Sequence, residues 1–74
     1  MSEMETYEKV MHYIEWYFSA YSRSPNFEEI RKAVGLGSKN SVFDHIRRLE
    51  EEGYITTEFN RRRSIRLTAK RMFI

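Results

Sequence analysis

The sequence predicts an α+β domain, three helices followed by a two-stranded antiparallel β-hairpin, and three observations carry that prediction. Apolar residues recur at helical spacing from Val10 to Leu49, the period falls to two after Gly53, and capping residues divide the helical part into three. The 74 residues are expected to form one domain, because a second hydrophobic core would not fit in so short a chain.

The first helix is expected over residues 3–21. Ser2 with Glu5 three positions on fits a capping box, and Val10, Met11, Ile14 and Phe18 form the apolar stripe. Residues 22–25 break it, because the residue before Pro25 avoids the helical region. Asn26 with Glu29 repeats the capping-box pattern and opens a second helix of about two turns. Phe27, Ile30 and Val34 face inward along it, and Gly35 stands where a left-handed residue is wanted. Leu36 and Gly37 make a tight connection. Ser38 is then a good N-cap for a third helix over residues 39–52, closed by Gly53, with Val42, His45, Ile46 and Leu49 on its inner face. Beyond it, Ile55, Thr57 and Phe59 alternate with Tyr54, Thr56 and Glu58. Ile65 and Leu67 alternate with Ser64, Arg66 and Thr68, which gives two half-buried strands. Asn60, Arg61, Arg62 and Arg63 form the polar hairpin tip.

Composition excludes several functions. There is no cysteine, so no disulfide framework, Cys-based zinc site or thiol nucleophile is available, and a reducing cytoplasmic location, associated with the nucleoid, is expected. The longest apolar runs, Trp16-Tyr17-Phe18 and Met72-Phe73-Ile74, fall far short of the roughly 18 residues a membrane span needs. The acidic start of the chain does not suit a signal peptide. His12 and His45 lie on different helices without ligand spacing, so no metal is expected. The Gly35-Leu36-Gly37-Ser38 segment joins helix to helix, whereas a phosphate-cradling loop joins strand to helix. Glu50, Glu51 and Glu52 read as a solvated helix end. No catalytic constellation, cofactor site or small-molecule substrate is expected, and the chain is not read as an enzyme.

The net charge of +2 hides an asymmetry. Through Ile30 there are two basic residues against six acidic ones; from Arg31 onward there are eleven against five. A basic second half suggests a polyanion on one face. Two helices joined by a short glycine-containing turn, the second exposing polar residues, match a helix-turn-helix, and the basic hairpin that follows makes it a winged one. An α-helix fits the major groove of duplex DNA, while cations on a projecting ribbon reach flanking phosphates or the minor groove. Advancing about 100° per residue from the inward Val42 puts Asn40, Phe43, Asp44, Arg47 and Glu51 on the outer face of the third helix. Asn40 suits bidentate bonding to adenine, Asp44 suits the N4 amine of cytosine, and Phe43 suits a thymine methyl. Lys39, Arg47, Arg48 and the three tip arginines Arg61, Arg62 and Arg63 suit the DNA backbone. Arg66 has a second reading, as a partner of its strand neighbours Glu58 and Thr56.

Residues 24–67, SPNFEEIRKAVGLGSKNSVFDHIRRLEEEGYITTEFNRRRSIRL, resemble the amino-terminal winged-helix domain of the LexA repressor family. The resemblance is carried by Pro25 before the capped NFEEI, by Ser38, Asn40, His45, Leu49, Gly53 and Ile55, and by the IRL at residues 65–67. It implies that Ser38, Asn40, Ser41, Phe43 and Asp44 occupy phosphate- or base-contacting positions, with Ser41 among the base readers and Ser38 on the backbone. Two departures imply a different operator: Lys39 stands where the family has Pro, and Phe43 where an acidic residue is usual. The family's carboxy-terminal dimerisation and Ser/Lys self-cleavage domain has no counterpart expected in 74 residues, so self-cleavage is not expected.

The chain therefore reads as a repressor-like transcriptional regulator that binds double-stranded DNA. The competing reading is a winged-helix protein-interaction module of a larger transcription or replication assembly. One module covers too little DNA for tight specific binding, so a homodimer or another protein partner is expected. Trp16, Tyr17 and Tyr21, with Tyr13, exceed what the first helix needs for its core; they offer a partner surface, or else they fill a small core.

Overall fold

The computed structural model describes residues 4–58, 63–70 and 72. Three helices, α1 (Thr6–Tyr21), α2 (Phe27–Val34) and α3 (Lys39–Glu51), precede strands β1 (Ile55–Thr56) and β2 (Arg66–Leu67). The strands pair antiparallel with Ile55 opposite Leu67 and Thr56 opposite Arg66. This is the winged helix-turn-helix order that the sequence predicts.

Each helix begins where a local hydrogen bond can satisfy its first free N–H groups. α1 starts three residues later than expected: Glu5, not Ser2, is its N-cap, and the Glu8 carboxylate accepts from the Glu5 N–H at 2.9 Å. The same three-residue spacing occurs in both pairs, and the second directly precedes the apolar stripe that packs. Ser2 lies outside the described residues. α2 is capped reciprocally, the Asn26 side chain accepting from the Glu29 N–H at 2.7 Å and the Glu29 carboxylate from the Asn26 N–H at 2.8 Å. Gly35 ends it in the left-handed region at φ 82°, its N–H returning to the Arg31 carbonyl. Ser38 caps α3 by accepting from the Ser41 N–H at 3.3 Å.

The stripes meet in one core of Val10, Met11, Ile14, Ile30, Val42, Ile46, Leu49, Ile55 and Ile65. All three helices and the base of the hairpin contribute, so the hairpin is anchored to the helical layer. The strands are shorter than the alternation suggests, because side chains intercept the backbone groups that would extend the ladder. Glu50 accepts from the Thr57 N–H at 3.3 Å and the Thr57 hydroxyl at 3.1 Å, while Ser24 Oγ accepts from the Ile65 N–H at 3.2 Å. Phe59, expected to continue the first strand, lies outside the described residues.

Candidate nucleic-acid interface

The outer face of α3 follows from its inner one. Val42, Ile46 and Leu49 are buried, and the rotation per residue then turns Asn40, Phe43, Asp44 and Arg47 to the surface, where all four are exposed. Phe43 keeps 49 % of its surface accessible, so it is not a core residue. Its ring stands 6.3 Å from that of Phe27, which gives it a side support without covering it. Ser38 and Lys39 are exposed at the start of the helix, and Ser41 is half-buried with its hydroxyl 3.3 Å from that of Ser38. The helix start thus presents a row of short polar groups, and Lys39 and Arg47 flank it with charge.

A groove of about 830 Å³ runs between the start of α2, the outer side of α3 and the base of the hairpin. Phe27, Phe43 and Ile46 form its floor, and Glu28, Lys39, Arg47, Glu50 and Glu58 edge it. Arg48 points away from this groove. Its guanidinium lies 3.5 Å from the centre of the Tyr7 ring and bonds the Glu52 carboxylate at 3.1 Å, which ties α3 to the first turn of α1.

Arg61 and Arg62 lie outside the described residues. Arg63 turns inward with φ 50°, and its Nη1 donates to the Tyr17 hydroxyl at 3.0 Å, the Ser24 carbonyl at 3.1 Å and Glu29 Oε1 at 2.9 Å. Its Nη2 donates to Glu29 Oε2 at 3.2 Å. This corrects the expectation of three equivalent tip cations: the Arg63 guanidinium is taken up by α1, α2 and the connection between them. Burial works against the charge of Glu29, but the Asn26 N–H, Arg63 and the Tyr17 hydroxyl outweigh it and hold the carboxyl below the ordinary carboxylate range. The same contacts, led by the Glu29 hydrogen bond, raise Arg63 above its ordinary value.

Tyr17 separates from Trp16 and Tyr21: of the two readings of these aromatics it takes the core one and not the partner surface, being only 4 % exposed with its hydroxyl in this network. The helical rotation puts it beside Ile14 on the buried side. Trp16 and Tyr21 stay 50 % and 55 % exposed. Arg66 lies exposed across from Thr56, as its strand reading has it. Two features escaped the sequence reading altogether. Glu50 reaches across the turn to Thr57, and Ser24, 1 % exposed, anchors the hairpin. Neither has a spacing signature, since their partners lie 7 and 41 positions away. Among the described residues no helix is long and apolar enough to cross a membrane, and no three acidic, His or Cys side chains gather where they could hold a metal ion.

Residues 4–64 match the LexA DNA binding domain family. The LexA repressor of Syntrophobacter fumaroxidans is 36 % identical over 61 residues, covering 81 % of this chain and 30 % of that protein. The LexA repressor of Sorangium cellulosum is 39 % identical over 62 residues, 84 % of this chain and 27 % of its own length. That of Moorella thermoacetica is 34 % identical over 58 residues, 78 % and 28 % of the two chains. The chain thus spans about 30 % of the length of these relatives.

Proposed function

Because the chain belongs to the LexA DNA-binding domain family, we propose that it binds double-stranded DNA sequence-specifically and acts as a repressor-like transcriptional regulator. The observation that carries this reading is the exposed row on α3. Polar and aromatic groups of the sizes that read base edges stand at the amino-terminal half of a helix whose other side is locked into the core. α3 enters the major groove. Asn40 bonds adenine, Asp44 accepts from cytosine, Phe43 presses on a thymine methyl, and Ser41 contacts the neighbouring base edge. Ser38, Lys39 and Arg47 hold phosphates, and Arg61 and Arg62 in residues 60–63 reach the flanking backbone or minor groove, whereas Arg48, expected among the phosphate contacts, is engaged by Glu52 and the Tyr7 ring on the other side of the helix. Arg63 acts differently in this scheme, holding the base of the wing against Glu29. The activity is binding without chemistry, in the cytoplasm at the nucleoid.

Titration of random duplex DNA across a salt series tests the reading. Affinity should fall log-linearly with salt, at close to one unit of slope per phosphate contact. Replacing Arg61 and Arg62 by Ala should reduce the slope by about two. No measurable binding at low salt would refute the proposal.

A further inference from the structure

We propose that Phe27 and Phe43 together read the C5 methyl group of a pyrimidine in the major groove, Phe43 as the contact and Phe27 as the residue that positions it; this rests on the DNA-binding reading above. Of the exposed large apolar side chains among the described residues, Met4, Trp16, Tyr21 and Phe43, the last is the one that α3 carries. Behind it stands Phe27, the first residue of α2, half-buried and packed against the core. The two ring centres are 6.3 Å apart with their planes at 56°. That separation lies inside the span of about 4.5–7 Å over which aromatic pairs attract one another. An exposed phenylalanine on a helix has more than one rotamer open to it, and a second ring anchored on the core favours the one that keeps the pair in contact. Phe43 is thus held at the surface by a side chain from another helix.

A phenyl ring has no hydrogen-bonding group, so the C5 methyl is the group it can take up from the edges that base pairs display in the major groove. Thymine carries that methyl beside the O4 acceptor, and 5-methylcytosine carries the same methyl beside the N4 amine. The surroundings of the ring suit this use. Lys39 and Arg47, one helical turn before and after Phe43, are exposed cations at the edge of the groove that Phe27, Phe43 and Ile46 floor, placed for phosphates on either side of a ring that meets the bases. Two acids of the same groove are engaged within the chain: Glu28 accepts from Arg31 Nε at 3.1 Å, and Glu50 takes the Thr57 N–H and hydroxyl. Asp44, exposed and next to Phe43 in α3, offers an acceptor that an N4 amine can use and a thymine O4 cannot. The group that thymine and 5-methylcytosine share is the methyl. The chain therefore tells thymine from uracil, and 5-methylcytosine from cytosine, at the position Phe43 meets, which makes its binding sensitive to cytosine methylation there.

The test uses duplexes of a sequence that the whole chain selects from a random library, with each thymine replaced in turn by uracil, which removes one methyl and changes nothing else. At the position where uracil acts, cytosine and 5-methylcytosine paired with guanine are then compared, and affinity is read by fluorescence anisotropy at fixed salt. Uracil should weaken binding about fourfold, the worth of roughly one methyl group, and 5-methylcytosine should bind about fourfold tighter than cytosine. Phe43→Ala should bring both ratios to about one. Phe27→Leu, which keeps an apolar group on the core, should at least halve both ratios and leave affinity for random duplex within about twofold of the parent, while Phe27→Tyr, which keeps the ring, should retain them. Far-UV circular dichroism confirms that each variant is folded. A selected site in which no thymine methyl matters, 5-methylcytosine no tighter than cytosine, or ratios that survive Phe43→Ala would overturn the methyl contact and leave the DNA-binding reading standing. Ratios unchanged in Phe27→Leu would overturn the positioning role and assign Phe27 to packing alone. No preference for any duplex over random sequence would remove the DNA-binding reading and this proposal together.

Discussion

Replacing Ser24 by Ala removes a single oxygen from a site that is 1 % exposed. That oxygen accepts the Ile65 N–H at 3.2 Å, and Ile65 is itself 1 % exposed, so water cannot take its place without opening the hairpin base. No atom is added and the Ser24 carbonyl still receives Arg63, while the hydroxyl's donation to the Pro25 carbonyl at 2.7 Å is lost together with its acceptance of the Ile65 N–H. Leaving a buried N–H without a partner costs about 1–3 kcal/mol. In a domain of this size each kcal/mol moves Tm by about 4–8 °C, which gives an expected loss of about 4–24 °C. Thermal unfolding followed by circular dichroism reads the shift. Amide exchange at Ile65 supplies the site-specific check, with the protected N–H becoming one of the faster-exchanging amides of the hairpin. A Tm within about a degree of the parent, with Ile65 still protected, would refute the reasoning, because the wing would then be held by something other than Ser24.

Two further outcomes follow from other parts of the molecule. Glu29 has its carboxyl held below the ordinary range in the folded chain, so its contribution to stability is present above the unfolded carboxylate value and is lost as pH falls through the lowered one; Glu29→Gln should be less stable than the parent at neutral pH, and the gap should close in unfolding titrations carried down into acid. Asn40→Ala should lose discrimination between duplex sequences while keeping most non-specific affinity in competition titrations, whereas an equal loss on every sequence would mark Asn40 as a backbone contact.

The helices were legible because their signals are local. Asn26 and Glu29, Ser38 and Ser41, and Gly35 each act within four residues, which is the reach of a capping interaction, and the sequence spells them out in order. The outer face of α3 was legible for a related reason: once Val42 is inward, geometry alone turns Asn40, Phe43, Asp44 and Arg47 outward. Arg63 was not legible. In the sequence it is one of three identical neighbours, and its partners Tyr17, Ser24 and Glu29 lie 46, 39 and 34 positions away. Periodicity contains no term for such a contact. The choice between surface and core for Tyr17 was open for the same reason, since nothing near it in the sequence names the charged groups that bond its hydroxyl.

The Glu29 carboxylate joins three elements that would otherwise be independent. It caps α2 through the Asn26 N–H, receives the Tyr17 hydroxyl of α1, and takes the guanidinium of Arg63 from the hairpin. With Ser24 bonded to Ile65, this fixes the direction in which the hairpin leaves the helical layer, and the outer face of α3 lies across the groove from that base. On the DNA-binding reading proposed above, the described base of the hairpin is held before DNA arrives and need not be ordered on binding, so contacts made from that base are not weakened by that entropy. The charge assignments follow from the same arrangement. One acid of the negative first half pairs with one cation of the positive second half through Glu29 and Arg63, and on the proposed DNA-binding reading Lys39, Arg47, Arg61 and Arg62 are the cations that meet the polyanion. Breaking the clamp without touching those four should therefore leave the electrostatic attraction in place and loosen the geometry, weakening selective binding more than non-specific binding.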